Sequence, residues 1–526
     1  MMQLSKSDYL MFLKHPAWMW LKKHDKSKLP PIDANTQAIF DAGHAFESYV
    51  EAQFPDGITL GFDNYDQYLT LPGRTAKAVE GNAQTLFQGR VEADELTCIF
   101  DMIHRMEGNL FDLYEIKSST KEKPEHILDL AFQKLVLEQS NVRIRNVFVI
   151  VVNADYIRHG EVDPKQLTRT IDVTERVNAI KDQTQANIKR ALEIMHAPTC
   201  PNLSPRHAEQ AYLKEWLEIF LTLKLQPDPY SIYQINPPSS DLLGELEDQG
   251  IERMSDIPDD FTFGNIKHKR QVELTKIGEP LIQIERICEF LKSFQFPLYF
   301  LDYETMMSVV PPFDGSRPFH QIPMQYSVHI LPVPGVPLEH REFLHTDKSN
   351  PSLPLLKQMQ QDIGPVGSVI VWHESFEKGR NQKLGEMFPE FAGFMTQLNS
   401  RVIDLKTPFS EGWYEDARFY GSASIKKVLP VLVPELSYTE LAVHEGQSAQ
   451  RLWMDVVLND KYHERREQIF KDLLEYCGLD TLAMVRIFEK LVDTGKGVSN
   501  PLPVLVPIES TVVLQPGKLQ QGRLFD

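Results

Sequence analysis

Residues 300–305 read FLDYET and residues 473–485 read LLEYCGLDTLAMV, and these two stretches decide the reading of the C-terminal half. The first closes an apolar run, PLYFL, and places Asp302 and Glu304 two positions apart. In a strand, residues i and i+2 project to the same face, so both carboxylates stand side by side. In the second stretch Tyr476 and Asp480 are four apart in a helical pattern, stacked one turn from each other. Carboxylates gathered at such spacing repel one another unless a hard cation neutralises them, and Mg²⁺ and Mn²⁺ take oxygen ligands. The chemistry such a cluster serves is metal-assisted hydrolysis of phosphodiesters.

Working outward, an α/β segment is expected over residues 291–495. Its strands are PLYFLDYE, QYSVHIL (325–331) and SVIVW (368–372), with a helix from Phe376 and a last helix over 466–492. The first 200 residues also alternate: an amphipathic helix over 38–54, a hairpin over 98–118, a helix over 129–139 and a buried strand VFVIVV over 147–152. Between the two, residues 201–290 are charged and punctuated by Pro and Gly, which suggests a connecting helical region. Within it LLGELEDQGIERMSDIP has either the rhythm of a helix-hairpin-helix or that of a plain helical linker. Residues 496–526 are Pro-rich and aperiodic, and an extended or disordered tail is expected there.

The 526-residue length points to about three domains, and 42% hydrophobic with 24% charged residues is the balance of a globular protein. A formal net charge of −18 argues against nonspecific coating of nucleic acid. Local basic runs at 22–28 (KKHDKSK), 143–145 (RIR) and 267–270 (KHKR) read more readily as solvated surface than as phosphate contacts. No apolar stretch of about 18 residues suggests a membrane span, and the start lacks the pattern of a secretory leader. The four cysteines (Cys98, Cys200, Cys288, Cys477) form no CxxC pair, so free thiols in a reducing cytoplasm are expected.

In the N-terminal half, Asp101 falls on the first hairpin strand, while Glu115 and Lys117 share a face of the second. Two carboxylates can hold a metal there, and a lysine ammonium can offset charge on a phosphoryl transition state. With the helix that follows, this pattern resembles the PD-(D/E)XK nucleases of the RecB type over roughly residues 1–200. The resemblance implies a restriction-endonuclease-like fold, with Glu47 of AGHAFESYVEAQF as an upstream metal ligand beside Asp101 and Glu115. It further implies that Lys117 is catalytic and that Gln133 of DLAFQKLVLEQ lies near the scissile phosphate; the aromatic residue that commonly follows is Leu137 here. Many relatives carry four cysteines around an iron–sulfur cluster. The matching places read KHPAWMW and TCPNLSPRH, only Cys200 remains, and no cluster is expected.

The regions around 300–305, 372–380 and 474–485 resemble the DEDD exonucleases of the ribonuclease H-like superfamily. That resemblance implies Asp302, Glu304 and Asp480 as metal ligands, with Tyr476 orienting the attacking water. The middle motif departs from the pattern: WHESFEKGR offers Glu377 where the family has Asp, and Asp404 of RVIDLKTPF is its rival. FLDYET, GSASIKKVLP and EYCGLDTLAMV together resemble a little-characterised bacterial family that fuses a RecB-like module to a DEDD module. Lys426 and Lys427 in GSASIKKVLP are either phosphate contacts or part of a solvated helix start.

The C-terminal GKLQQGRLFD places Gln521, Leu524 and Phe525 as in the Q-x-x-L-F peptide with which bacterial repair proteins grip the sliding clamp. The expectation is therefore an Mg²⁺- or Mn²⁺-dependent nuclease acting on DNA in repair or defence, with two candidate centres. A partly inactive nucleic-acid or clamp adaptor, and an RNA-processing exonuclease, are the alternatives.

Overall fold

The computed structural model describes residues 2–107, 110–224 and 226–495, and two mixed sheets organise them. The first contains β1 (Leu4–Ser5), β2 (Ile58–Thr59), β3 (Thr85–Ala93), β4 (Leu96–Arg105), β5 (Leu110–Lys117), β6 (Arg143–Val152) and β7 (Thr168–Asp172). Its order is β2-β3-β4-β5-β6-β7, with β1 paired to β4. β3, β4 and β5 form an antiparallel meander, whereas β6 lies parallel to β5. A parallel pair needs a crossover, and helix Pro124–Gln139 supplies it. The helix starts five residues before the expected 129 because Pro124 occupies its first turn, where no amide hydrogen is needed.

Helix Pro124–Gln139 covers one face of this sheet, packing Ile127, Leu130 and Val136 with Phe111, Leu113 and Val147. Helix Ala34–Glu51 covers the other, packing Phe46 and Val50 with Phe87, Met102 and Ile116. Alternation along β5 therefore turns Glu115 and Lys117 to the side of Phe111 and Leu113, under the crossover helix.

The connecting region forms helices Leu213–Leu223, Ser240–Asp248 and Ile266–Ile277, gathered around buried Trp216. The second helix of a helix-hairpin-helix does not form in 242–258. After Gly250 turns the chain with φ +70°, Glu252 and Met254 bond instead to Ile232 and Tyr230, and only a three-residue 3₁₀ turn follows.

The remaining strands are β8 (Leu281–Ile282), β9 (Leu298–Met306), β10 (Ile322–Leu331), β11 (Glu339–Leu344), β12 (Ser368–Val371), β13 (Val402–Asp404) and β14 (Tyr414–Glu415). The second sheet runs β11-β10-β9-β12-β13, and β14 pairs with β8. β10 is antiparallel to β9 and β11, whereas β12 is parallel to β9 and β13. On β9, Tyr299, Leu301 and Tyr303 pack toward helices Ser352–Asp362 and Glu374–Met387. Leu298, Phe300 and Met306 pack toward the thirty-residue helix Arg466–Gly495. Asp302 and Glu304 have the parity of Phe300 and so face that long helix.

The two sheet regions touch. Asn35 donates to Ser448 Oγ (3.1 Å) and accepts from Arg451 (3.0 Å), and Arg158 donates to the carbonyls of Pro311 and Pro312. Among the described residues, no helix is long and apolar enough to cross a membrane.

Candidate functional site

β9 delivers Asp302 and Glu304, and the long helix delivers Asp480, so that one carboxylate oxygen from each lies within 4.8 Å of the others. Among the described residues none of the three makes an ion pair, although Lys426 stands close enough to favour ionisation of Glu304 and Asp480. Burial, then repulsion by Asp480, pushes Glu304 up to about 8. Burial pushes Asp480 up to about 6 against the pull of hydrogen bonds from Tyr438 and Tyr476. Asp302, desolvated and faced by Asp480, Glu304 and Glu377, lies well above the ordinary carboxylate range.

Two tyrosines and a lysine line the cluster. Tyr438 donates to Asp480 Oδ1 at 2.6 Å. Lys426 donates to the Tyr476 hydroxyl (3.3 Å) and to the His444 carbonyl (2.5 Å). Burial first, then the nearby carboxylates, hold Tyr476 far above the ordinary phenol range, so it remains a neutral hydroxyl. Tyr438 lies outside both motifs and has no spacing relation to Asp480 that a sequence pattern would reveal.

Glu377 and Asp404 part company in the structure. Both Asp404 oxygens accept backbone N–H groups, Oδ2 from Glu374 (3.1 Å) and Oδ1 from Lys406 (2.9 Å). Glu377 is 2% exposed with an Oε2 that has no partner among the described residues, and burial raises it to about 8. It lies outside the group of three whose oxygens converge, yet near enough to raise Asp302. An unpartnered buried oxygen is costly, so Glu377 is the acid with capacity to spare.

The first sheet holds a different kind of cluster. Glu115, fully buried, receives Lys117 Nζ (2.5 Å) and Lys6 Nζ (3.2 Å) on Oε1 and Gln133 Nε2 (2.6 Å) on Oε2. Lys6 also pairs with Asp101 Oδ1 at 3.6 Å, while Asp101 Oδ2 accepts the Ile116 N–H at 2.8 Å. Burial opposes ionisation of Glu115, but Lys117 and Lys6 outweigh it and hold the group well below the carboxylate range. Burial, then Glu115, pushes Asp101 up to about 7. Burial opposes both lysine charges, yet the surrounding acids prevail and keep Lys6 and Lys117 cationic. Glu47 accepts from Gln88 (3.0 Å), and burial and Glu115 raise it. Gln88 has φ +55°, and Gln88 and Asp101 are skipped together in the β3–β4 pairing, whose register is the same on both sides of them.

Thus Asp101, Glu115, Lys117 and Gln133 are brought together, with Glu47 at their edge. Lys6 and Asp129, which accepts from Gln133 at 2.8 Å, were not foreseen. The i, i+4 spacing of Asp129 and Gln133 was a usable signal, whereas Lys6 lies over a hundred residues from its partner Glu115. Among the described residues this cluster does not bring three ligand atoms together as the second sheet does. Gln521, Leu524 and Phe525 lie outside the described residues.

Residues 299–424 match the family model described as "Domain of unknown function (DUF2779)". The chain is similar to "Uncharacterized protein MG366 homolog" of Mycoplasma pneumoniae, 27% identical over 220 residues. It is also similar to "Uncharacterized protein MG366" of Mycoplasma genitalium, 24% identical over 208 residues. Each match takes in 36% of this chain and 31% of the relative, so the chain spans about a third of those proteins' length.

Proposed function

We propose that this chain is an Mg²⁺- or Mn²⁺-dependent nuclease that hydrolyses phosphodiester bonds in DNA, with its principal centre at Asp302, Glu304 and Asp480. The observation that carries the reading is three converging carboxylates, two of them buried, none with an ion-paired partner among the described residues. Asp302 is half-buried beside the two buried acids, and all three donors are oxygens. This donor set suits a hard divalent cation, and Glu377, close enough to raise Asp302, has an Oε2 with no partner among the described residues. A cation bound there would neutralise the acids, lower the pKa of a bound water and stabilise charge on the phosphoryl group.

The other residues act around that centre. Tyr476, held neutral and contacted by Lys426, orients a water molecule rather than removing its proton. Tyr438 fixes the position of Asp480. The finer fold reading goes with the function. The β11-β10-β9-β12-β13 order supports a ribonuclease H-like domain over 291–495. The β3–β5 meander, crossover helix and parallel β6 support a restriction-endonuclease-like core over 1–200.

At the first cluster Glu47, Asp101 and Glu115 would hold a metal, with Lys117 and Gln133 facing the phosphate. A second reading has its own observation: the Lys6 ammonium already sits between Asp101 and Glu115, so these acids serve as a structural ion-pair network. End-labelled single-stranded DNA, duplex DNA and RNA, incubated with the protein and Mg²⁺ or Mn²⁺, test the proposal. Cleavage of DNA that disappears in Asp302→Asn is expected. Preference for RNA would move the substrate class, and binding without cleavage of any polymer would replace the enzyme with an adaptor. Loss of one cleavage product set in Lys117→Ala would assign activity to the first cluster.

A further inference from the structure

One turn beyond Glu377 on helix Glu374–Met387 stands Arg380, whose guanidinium makes no hydrogen bond or ion pair among the described residues. Its Nε is shut off from solvent without an acceptor, and its carbon lies 5.1 Å from the centre of the Phe376 ring. Partly desolvated guanidinium groups are ordinarily matched to a carboxylate or a phosphate. The acid that influences it, Glu377, is the one that faces Asp302.

Three more basic side chains adjoin this position. His320 has a buried Nδ1 with no partner and feels the charges of Arg380, Lys383 and Arg317. Arg317 reaches Asp155 only at 3.8 Å, and Lys383 bonds Glu386 on its own helix. Phe319, at φ +57°, bonds its N–H to Ser308 at 2.8 Å and so pins the segment that carries His320. Beside an acid cluster that repels anions, the fold keeps Arg380 unmatched among the described residues and Arg317 loosely paired, while Lys383 is paired only with Glu386 of its own helix.

We propose that Arg380, flanked by His320, Arg317 and Lys383, is a phosphate-binding subsite for the nucleic-acid strand, next to the acid cluster on its Glu377 side. The inference rests on the nuclease reading above and names where the substrate backbone is gripped. A bidentate guanidinium–phosphate contact positions a strand without reading its sequence. The subsite also offsets the repulsion that a chain of net charge −18 exerts on a polyanion.

The test measures binding of a labelled twelve-nucleotide oligo(dT) by fluorescence anisotropy across a salt series. It uses the full chain carrying Asp302→Asn, which keeps the strand uncleaved. Adding Arg380→Gln is expected to weaken binding about 10-fold or more and to reduce the salt slope by about 0.7, the value for one phosphate contact on a single strand. Arg380→Lys is expected to restore the slope and part of the affinity. With Asp302 intact, Arg380→Gln raises KM more than it lowers kcat. The melting temperature of Arg380→Gln is expected to stay level or rise, because an unmatched cation is removed; a fall together with lost binding would mark Arg380 as structural and overturn the proposal. Unchanged affinity and slope in Arg380→Gln, while the parent binds, overturn the subsite alone. Failure of the parent and of the wild type to bind any oligonucleotide overturns the nuclease reading together with it.

Discussion

Removing or supplying a divalent cation should change the stability of this protein by a predictable amount and with a predictable pH dependence. With oxygens within 4.8 Å, each ionised pair among Asp302, Glu304 and Asp480 costs about 3.5 kcal/mol at an effective dielectric constant of about 20. Three such pairs approach the whole stability of a domain, about 5–15 kcal/mol. The metal-free protein therefore holds protons there, in line with burial and then Asp480 pushing Glu304 up to about 8 and burial pushing Asp480 up to about 6. Carboxyls raised above their unfolded values stabilise the fold below about pH 4, and that contribution is lost as pH rises through 6 toward 8. A cation competes with those protons, so its effect grows in the same direction. At a free concentration of 100 Kd a site specific to the native state adds about 2.7 kcal/mol, or about 5–10 °C in Tm for a unit of this size. Thermal melts in chelator and in Mn²⁺ or Mg²⁺ should separate by that much at pH 8 and converge toward pH 6. Asp480→Asn should raise the metal-free Tm at pH 8 and abolish most of the separation. Coincident wild-type melts at pH 8, or an undiminished separation in Asp480→Asn, would refute the reasoning.

Tyr476→Phe should lower kcat by about 10²-fold while leaving the metal-dependent Tm shift intact, since the hydroxyl is assigned to water and not to the ion; loss of the shift would contradict that division. Glu377→Gln should abolish cleavage at unchanged or higher Tm, because it removes a desolvated, unpartnered carboxyl. Asp404→Ala should instead destabilise by about 1 kcal/mol, the worth of a side-chain cap on backbone N–H groups, and the two variants compared by melting and turnover decide which acid is the ligand. Lys6→Met should destabilise the metal-free protein by about 3 kcal/mol, since it strips a counter-ion from buried Glu115. Chemical denaturation measures that loss, and recovery on adding Mg²⁺ would show that the first cluster takes a cation in place of the ammonium.

What a linear reading captures and what it leaves out follow from the range of the interactions. The parity of Asp302 and Glu304 on β9, the helix bearing Tyr476 and Asp480, and the shared face of Glu115 and Lys117 are consequences of strand and helix periods, visible within a few residues. Convergence of β9 with a helix about 170 residues later is not local; only the pairing of two acidic motifs hinted at it. Lys6 and Tyr438 carry no such hint, because each meets its carboxylate through packing between distant elements. Residues 242–258, for which the sequence left a helix-hairpin-helix or a plain helical linker open, show a related effect. Their local pattern suits two short helices, but tertiary pairing with Tyr230 and Ile232 draws the second arm into extended backbone. Asp404 stood in the sequence as the rival to Glu377, and only the fold shows both its oxygens occupied by backbone donors.

The two acidic clusters resolve one electrostatic problem in opposite ways, and the contrast bears on where chemistry resides. At the first, buried Glu115 has every oxygen answered by Lys6, Lys117 or Gln133, and its charge is stable without help. At the second, three carboxylates converge without an ion pair among the described residues, Lys426 standing at a distance, and burial first, then mutual repulsion at Asp302 and Glu304, raises their pKa values. A fold selected for stability alone would pair or replace such groups, since buried like charges are a net cost. Arg380 repeats the pattern with the sign reversed: a partly desolvated cation without an ion-paired anion among the described residues, one turn from Glu377. On the proposed function, a divalent ion would match the acids and a phosphodiester would match the guanidinium. That complementarity places the stronger claim to catalysis on the second sheet.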